Sequence, residues 1–400
     1  MRASTQRFRQ VFALERNILA IAGTVFLLGT SMFTWYQLLP LYFRDLGASD
    51  GQVGLAYSLM NLAYALLQLA GGLLSDRYGR KALIVVPTFC ATPLYLLAGA
   101  TTHWAALMAA MLAINSLSAL QWPSFTSLIA ESVAEEQQGT AFGVFEFCFG
   151  LGVTIGPALG AILLRAVPLR ELLWATAGVT LLCALVRAVA LRETAVQAHL
   201  PKTASLRYAL PHRLRWLLVA ACAFCTAMGL TVHGPFVSLH AKDVVHLSEA
   251  QINWLFAAGS LGATLLSLAG GRLVDRFGGR LVLAASSAGH FATLVLWASA
   301  PTLLAGLPVF VLSWVLMQIS FIAYNTSLAQ STTTETRARV VGLFGTVTGI
   351  ISTAAPSAGM LLRREWGSVA PFGAALGVGL LMVLVLVRAS PRPEPAQESP

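Results

Sequence analysis

Twelve long apolar runs follow one another along this chain, separated by short polar stretches. Because the ~30 Å hydrocarbon core of a bilayer needs about 20 apolar residues in a helix, the pattern predicts twelve membrane-spanning helices. We number them spans 1 to 12, at about 17–39, 52–74, 82–100, 104–130, 139–164, 169–191, 216–240, 250–273, 281–300, 303–330, 340–362 and 369–387.

The polar stretches divide the chain into two halves. Residues 1–16 form a basic cytoplasmic arm, and 192–215, interrupted by Pro201 and Pro211, form a linker between six-helix halves at 17–191 and 216–389. Residues 390–400 are proline-rich and are predicted to be a disordered cytoplasmic tail. A signal peptide is the alternative for the first run, but that run exceeds twenty residues and has no convincing small-residue cleavage site.

The composition is that of a polytopic membrane protein. Hydrophobic residues make up 56% and charged residues 11% of the 400 positions, whereas soluble domains have roughly 25% charged residues. The net charge of +9 does not indicate nucleic-acid binding, because the basic residues lie at the ends of apolar runs and form no single patch. No soluble domain is left to hold an enzyme active site.

The basic residues predict the orientation. With the N-terminus in the cytoplasm, 20 of the 26 Lys and Arg fall on the cytoplasmic side. The positive-inside rule therefore places both termini in the cytoplasm. The six on the outer side are Arg44, Arg165, Arg170, Lys242, Arg363 and Arg364.

The five cysteines all lie inside apolar runs, so neither a disulfide framework nor an exposed redox pair is expected. Cys222-x-x-Cys225 has the spacing of half a metal site. No further cysteine or closely spaced histidine completes a tetrahedral set, and no metal is predicted.

The chain contains an internal repeat. Asp76 in the loop after span 2 and Asp275 in the loop after span 8 are 199 residues apart, within similar glycine-rich and charged sequences. Pro157 in span 5 and Pro356 in span 11 are also 199 residues apart. Two matched landmarks at one offset indicate a duplicated unit.

These motifs resemble those of a known family. Gly-x-Leu-x-Asp-Arg-x-Gly-Arg-Lys, beginning at Gly72, resembles the signature loop of the major facilitator superfamily, and the Gly-Pro-Gly run of span 5 resembles its antiporter motif. The resemblance extends over residues 17–389. It implies an all-α membrane fold with twelve transmembrane helices in two pseudo-symmetric halves, resembling the drug/proton antiporters.

The signature loops have two interpretations. One is a tight turn whose charges fix topology. The other, implied by the resemblance, is a latch in which Asp76 docks against the start of span 11, near 337–340, where free backbone N–H groups attract an anion. Asp275 should then face the start of span 5, near Gly139, but Gly279 replaces the second arginine of the motif, so we expect a weaker latch there. The candidate latch residues are Gly72, Asp76, Arg77, Gly79, Arg80, Lys81, Gly271, Asp275, Arg276 and Arg280.

The glycine runs also have two interpretations. Small residues four apart let another helix approach closely, and a proline inside a helix kinks it. Close packing alone is one reading; the resemblance implies exporters that exchange substrate for protons. The residues are Gly152, Gly156, Pro157, Gly160, Gly349, Pro356 and Gly359.

Glu146 is the only acidic residue well within an apolar run. A buried charge there costs ~2.5 kcal/mol or more, so Glu146 is either a proton or substrate-cation site or a structural partner; we expect it in a dry helix interior. Proton antiporters of the superfamily commonly carry an arginine in the outer half of span 4, but this chain has Met111, Leu112 and Asn115 there. Either coupling rests on Glu146 and His233, or transport is not proton-coupled.

The resemblance implies a substrate cavity lined by spans 1, 4, 7 and 10. Polar and aromatic residues on these spans are candidates for it, although each has packing or interhelical hydrogen bonding as its alternative role. Aromatic groups with few charges suit a lipophilic substrate. The candidates are Trp35, Tyr36, Gln37, Asn115, Ser118, Trp122, Gln318, Phe321 and Asn325.

The leading hypothesis is proton-coupled export of a small lipophilic or amphipathic compound, by a monomer in the bacterial cytoplasmic (inner) membrane. An importer or facilitator of a metabolite is the alternative within transport, and a transport-dead sensor is the alternative outside it. The expected partners are substrate, protons and lipids, with no nucleic acid. No cofactor is expected, since the proton gradient would supply the energy.

Overall fold

The computed structural model describes residues 15–194, 212–300, 302–332 and 334–388, and these residues are helical with short connections. The predicted arm and tail, and most of the linker, lie outside the described residues. In chain order, the α-helices are α1 Arg16–Phe33, α2 Leu39–Asp45, α3 Asp50–Tyr78, α4 Arg80–Ala100, α5 Trp104–Glu131, α6 Gln138–Leu163, α7 Leu169–Ala190, α8 His212–Gly229, α9 Phe236–Asp243, α10 Glu249–Phe277, α11 Gly279–Ala298, α12 Leu303–Gln330, α13 Thr334–Ser352, α14 Ala355–Trp366 and α15 Ala370–Arg388.

Fewer than twelve helices in the described part of the chain qualify as spans by length and composition. Ten are long and apolar enough to cross a membrane, and the bent α10 makes an eleventh if its two pieces count as one. The remaining predicted span is span 7, whose apolar helix, 214–229, is too short to qualify. The shortfall from twelve therefore has a local cause, the break between α8 and α9.

Spans 1 and 7 are broken at corresponding places, which corrects the prediction of continuous helices there. Span 1 leaves the α-helix after Phe33 and resumes as a 3-10 turn, Tyr36–Leu38, and then α2. Span 7 stops at Gly229 and resumes at Phe236. Pro40 lies in the first turn of α2, where a proline is favourable. The stretch 40–51, which connects predicted spans 1 and 2, is consequently helical as far as Asp45.

The same local signals shape span 2 and span 8. Ser49 and Gln52 form a capping box at the start of α3, and Ser248 and Gln251 form one at the start of α10. Each helix is 29 residues long. Gly79, with φ of 93°, and Gly278, with φ of 83°, end them in a conformation that favours glycine. The two signature loops thus share one backbone geometry.

The halves meet along two seams. At one seam α3 packs against α13 and α14, and at the other α6 packs against α10. Both α3 and α10 start near a group of ion pairs that joins the halves, described below, and run away from it. The end of the bundle that carries these ion pairs is called the ion-pair face; the end that carries Asp76 and Asp275 is called the loop face.

Candidate substrate cavity and gates

Four charged side chains link the two halves at the ion-pair face. Arg44 of the first half pairs with Asp243 of the second at 2.7 Å and with its neighbour Asp50 at 2.6 Å. Arg363 pairs with Asp243 at 2.5 Å and approaches Asp50 at 3.6 Å. The Arg363 side chain is only 8% exposed, so this network is better shielded than an ordinary surface pair, which is worth about 0–1 kcal/mol.

A layer of amide hydrogen bonds joins the halves at the α6–α10 seam. Asn253 of α10, which is fully buried, donates to the carbonyl oxygen of Thr34 at 2.8 Å and accepts from Gln37. The Ser238 hydroxyl donates to the Gln37 carbonyl oxygen. The break in span 1 leaves backbone carbonyls free to accept these bonds. Sequence reasoning missed Asn253, although an asparagine inside an apolar run was a visible signal.

The other seam is also closed near the ion-pair face. The hydroxyls of Ser58 in α3 and Ser357 in α14 share a hydrogen bond of 2.8 Å, and the Ser357 N–H donates to Ser58 at 3.2 Å. Next to it, a Cβ on Gly54 would lie 3.1 Å from the Pro356 carbonyl oxygen. Only a glycine fits this approach without a shift. Both seams are therefore closed at one face.

A cavity of about 290 Å³ lies between the halves at the α3–α13 seam, further from the ion-pair face than Ser58 and Ser357. The described residues that line it come from both halves, and none of them is Asp, Glu, Lys or Arg. They are Asn61, Tyr64, Ala65, Gln68, Asn115, Cys225, Gly229, His233, Gly345, Thr348, Gly349 and Ser352.

The α3 side of this cavity carries three polar residues that sequence reasoning missed. Asn61, Tyr64 and Gln68 lie at positions i, i+3 and i+7, which share one helix face. That spacing is visible in the sequence of span 2, but the resemblance implies a cavity lined by spans 1, 4, 7 and 10. Within the described part of the chain, none of the three side chains has a hydrogen-bond partner.

The predicted cavity residues divide between several environments. Asn115, which donates to the Met60 carbonyl oxygen at 2.6 Å, lines the cavity, as does His233 in the break of span 7. Trp35 does not: it is 1% exposed and donates to Thr176 at 2.9 Å, so its prediction is corrected to a core residue of the first half. Tyr36 contacts Trp35 edge to face, and Gln37 belongs to the amide layer.

The candidates on spans 4 and 10 do not converge on this cavity, apart from Asn115. Trp122 packs edge to face on Phe145, with ring centres 5.8 Å apart, and Ser118 is exposed and donates within its own helix. Phe321 and Asn325 are exposed, and Asn325 donates to the Phe321 carbonyl oxygen. Gln318 is half-buried. None of these five residues lines the cavity.

Glu146 is exposed on the surface of α6, which corrects the expectation that it lies in the interior of the helix bundle. It lies on the same ridge of α6 as Gly150 and Thr154, at i, i+4 and i+8. Thr154 reaches Thr264 of α10, with hydroxyl oxygens 3.4 Å apart. Glu146 thus lies on a helix that meets α10 at one seam, and the cavity lies at the other seam.

The glycine run of span 5 provides close contact between helices. A Cβ on Gly152 would lie 2.9 Å from the Thr30 nitrogen, and one on Gly160 would collide with the Thr34 carbonyl oxygen. A Cβ on Gly349 would lie 2.8 Å from Ala65, and Gly359 leaves room for the Phe236 ring. These contacts are those of the packing interpretation; the exchange role stays a prediction.

The two prolines of the repeat behave differently. The α6 helix continues through Pro157. Span 11 instead breaks between Ser352 and Ala355, so that Pro356 falls in the first turn of α14. Both copies of the repeat thus keep the proline and the close contact with a neighbouring helix, but only span 11 has the helix break.

The first signature loop forms an ionic network within its own half. Arg80 pairs with Asp76 at 2.5 Å and with Glu131 at 3.1 Å. The Glu193 carboxylate accepts from the backbone N–H groups of Arg80, at 2.7 Å, and Lys81, at 3.1 Å. Side chains at 334–339, the start of span 11, lie outside the described residues, so the latch between Asp76 and that helix stays a prediction.

The second signature loop differs at two positions of this network. Gly279 and Gln330 stand at the positions equivalent to Arg80 and Glu131, and Asp275 is exposed. A groove of about 630 Å³ at the loop face, lined by residues that include Trp216, Gly279 and Gln330, lies where the first half has its arginine network. The departure from the motif at Gly279 therefore changes the local structure as well as the charge.

Arg187 is a further residue that sequence reasoning missed, because the positive-inside rule treats it only as a charge at the end of span 6. Its side chain is 2% exposed. The guanidinium donates to Thr24 at 2.9 Å and to Thr88 at 2.8 Å, and lies 4.9 Å from the centre of the Phe125 ring. Among its described contacts there is no carboxylate, so hydroxyl, amide and aromatic groups from three other helices solvate the charge.

The comparisons with known proteins agree with this architecture. The family model described as Major Facilitator Superfamily matches residues 19–223 and again residues 219–400. The chain belongs to the Major Facilitator Superfamily. It is similar to the multidrug resistance protein MdtG of Serratia proteamaculans, with 28% identity over 67% of this chain and 68% of that protein. It is also similar to the quinolone resistance protein NorA of Staphylococcus aureus, with 21% identity over 64% of this chain and 66% of that protein.

Solved structures share the fold of this member of the superfamily. The crystal structure of the D323A mutant of the nucleoside transporter NupG matches with a TM-score of 0.78 and 15% identity, over 94% of this chain and 100% of that one. The inward-facing, occupied structure of a bacterial homologue of the lysosomal transporter Spinster matches with a TM-score of 0.67 and 16% identity, over 93% and 94%. At these identities the likeness shows the fold alone.

Proposed function

We propose that this superfamily member works by alternating access and exports small lipophilic or amphipathic compounds in exchange for protons. One observation carries the proposal: a cavity between the halves, next to inter-half contacts that close both seams at one face. Hydrogen bonds and ion pairs of this kind can break and reform, as rocking of one half against the other requires. The similarity to MdtG and NorA favours export of drug-like compounds.

The proposed orientation places the loop face, with both termini, in the cytoplasm of an inner-membrane monomer, because most Lys and Arg then lie inside. The ion-pair face is then the outer face. A protein closed at the outer face is ready to accept substrate from the cytoplasm or the inner leaflet. This is the loading state that an exporter requires.

Protons are the proposed counter-substrate, with Glu146 and His233 as carriers. Glu146 is exposed on α6, the helix that meets α10 at one seam, so a movement of the halves at that seam would change the surroundings of its carboxyl group. A carboxyl group that alternates between wet and dry surroundings takes up and releases a proton. Facilitated passage of a metabolite is the second candidate, favoured because the described residues of the cavity lining include amides and no Asp, Glu, Lys or Arg.

Substrate-driven proton movement in proteoliposomes tests the proposal. The Glu146→Gln variant should lose proton release while retaining passive substrate exchange, and Glu136→Gln, an exposed control at the loop face, should behave as wild type. A stable Glu146→Gln protein that couples normally would eliminate Glu146 as the proton site. Transport without proton movement in the wild type would support the facilitator, and no transport across a broad panel would support the sensor.

A further inference from the structure

We propose that the cavity between α3 and α13 binds an uncharged, planar compound with amide-like hydrogen-bonding groups, and that lipophilic cations are poor ligands for it. The inference rests on the proposed transport function and names the substrate class of the same cavity. It also separates the substrate from Glu146, one of the two proposed proton carriers.

Charge is the first argument. Among the described residues that line the cavity there is no Asp or Glu to pair with a cation, and an unpaired charge away from water is costly. Aromatic side chains can stabilise a cation in place of a carboxylate, through cation–π contact, but Tyr64 is the only Phe, Tyr or Trp among the described residues of that lining. The cavity therefore offers a cation little compensation for lost hydration.

Hydrogen bonding is the second argument. Asn61, Tyr64 and Gln68 on α3, and His233 opposite, have no side-chain hydrogen-bond partner within the described part of the chain. Asn115 uses its N–H on Met60 and keeps its carbonyl oxygen for another donor. Amides and imidazole both donate and accept. A ligand with adjacent donors and acceptors, such as a lactam or an amide-bearing heterocycle, matches this set.

Shape is the third argument. The α13 helix presents Gly345 and Gly349 to the cavity beside Thr348 and Ser352, so this wall carries only small side chains. The side-chain oxygen of Gln68 lies 4.0 Å from the position that a Cβ on Gly345 would take, so this side chain reaches across the seam. A wall of small side chains that faces amide groups leaves room for a flat molecule between them. The volume of about 290 Å³ is at the small end of ligand pockets, which measure roughly 300–1,000 Å³.

The location of the cavity adds a consequence for coupling. Its described lining comes from α3, α5, α8, α13 and the break of span 7, and includes no residue of α6 or α10. Glu146 lies on α6, which packs against α10. Substrate and a proton on Glu146 therefore do not compete for one group and influence each other only through the movement of the halves, whereas His233, the other proposed carrier, lines the cavity itself.

Calorimetric titration of purified protein, without any gradient, tests the proposal. The probes are quinazolin-4-one, an uncharged bicyclic lactam, and N-methylquinolinium, a cation of similar size with no hydrogen-bond donor. Quinazolin-4-one should bind at least about tenfold more tightly than the cation. Preference for the cation, or no binding of quinazolin-4-one up to about 1 mM, would overturn the proposal.

Three variants assign the effect to the cavity. Gln68→Leu should weaken quinazolin-4-one binding about tenfold, and Gln68→Glu should create binding of the cation. Ser267→Ala, at the equivalent position of α10 on the other seam, should leave both affinities unchanged. Equal affinity of wild type and Gln68→Leu for the lactam would contradict the assignment. If the wild type binds the two probes as expected but moves no protons during transport, that result would count against the proposed function alone.

Discussion

Arg44 and Asp243 occupy equivalent positions in the two repeats, 199 residues apart, and they pair with each other at 2.7 Å. A residue can meet its own repeat equivalent only near the pseudo-symmetry axis that relates the halves. This ion pair therefore marks the point where the axis leaves the bundle at the ion-pair face. The repeat places one residue from each half at this point, and because the two residues carry opposite charges they hold the halves together there.

Asp243→Asn should open the ion-pair face. The change leaves Arg44 and Arg363 close together without the carboxylate that both now contact, and a hydrogen bond to a charged group is worth about 1.5–3 kcal/mol. Spin labels on α2 and α9 should show a larger fraction of long distances. Asp45→Asn removes a neighbouring charge outside the described ion pairs and should leave the distances as in wild type; an equal shift in both variants would assign the effect to net charge.

Gly160→Ala should disrupt the closed amide layer. The added Cβ would collide with the Thr34 carbonyl oxygen and lie 2.5 Å from the Asn253 amide, and overpacking of this kind costs about 1–3 kcal/mol. Thermal unfolding should occur at lower temperature, and transport should fall. Gly150→Ala is the matched control on the same helix, because its Cβ meets nothing within 4 Å. Identical stability of the two variants would contradict the close approach at Gly160.

Arg187→Met should be nearly neutral for stability, whereas Arg187→Ala should cost about 2–5 kcal/mol. Thr24 and Thr88 already donate to carbonyl oxygens of their own helices, at 2.7 and 2.6 Å, so neither is left without a partner when the arginine is replaced. Methionine fills the space, and alanine leaves a cavity. Denaturation midpoints in one detergent give the comparison. Equal loss in both variants would show that the charge itself is required.

Asp76→Asn tests the predicted latch at the loop face. Arg80 keeps Glu131 and Ser75 as partners, so the loop should stay folded. Loss of an anion that the start of span 11 attracts should favour opening of that face by ~0.3–2 kcal/mol. Distances between spin labels on the two halves at the loop face measure this opening. Asp275→Asn should have a smaller effect, and an unchanged distribution for Asp76→Asn would leave Asp76 only its role in the arginine network.

The sequence alone determined the features that depend on local interactions. Hydropathy located the spans, because any helix that crosses a bilayer must be apolar over a fixed length. Serine and glutamine three residues apart are enough to start α3 and α10, and glycine at 79 and 278 ends them. The 199-residue offset predicted that these elements would recur, and helix bounds such as Trp104–Glu131 and Leu303–Gln330 do so.

Only the tertiary structure decided which face of each helix meets which partner. Trp35 was predicted to face substrate and is instead buried against Thr176 of α7, while Asn61, Tyr64 and Gln68 of α3 reach the cavity. Glu146 is exposed on α6, and Arg187 is buried because hydroxyls from α1 and α4 converge on it. Hydropathy does not distinguish these cases, because both sides of a spanning helix are apolar. Whether a side chain faces lipid, a partner helix or a cavity depends on contacts with residues up to hundreds of positions away in the chain.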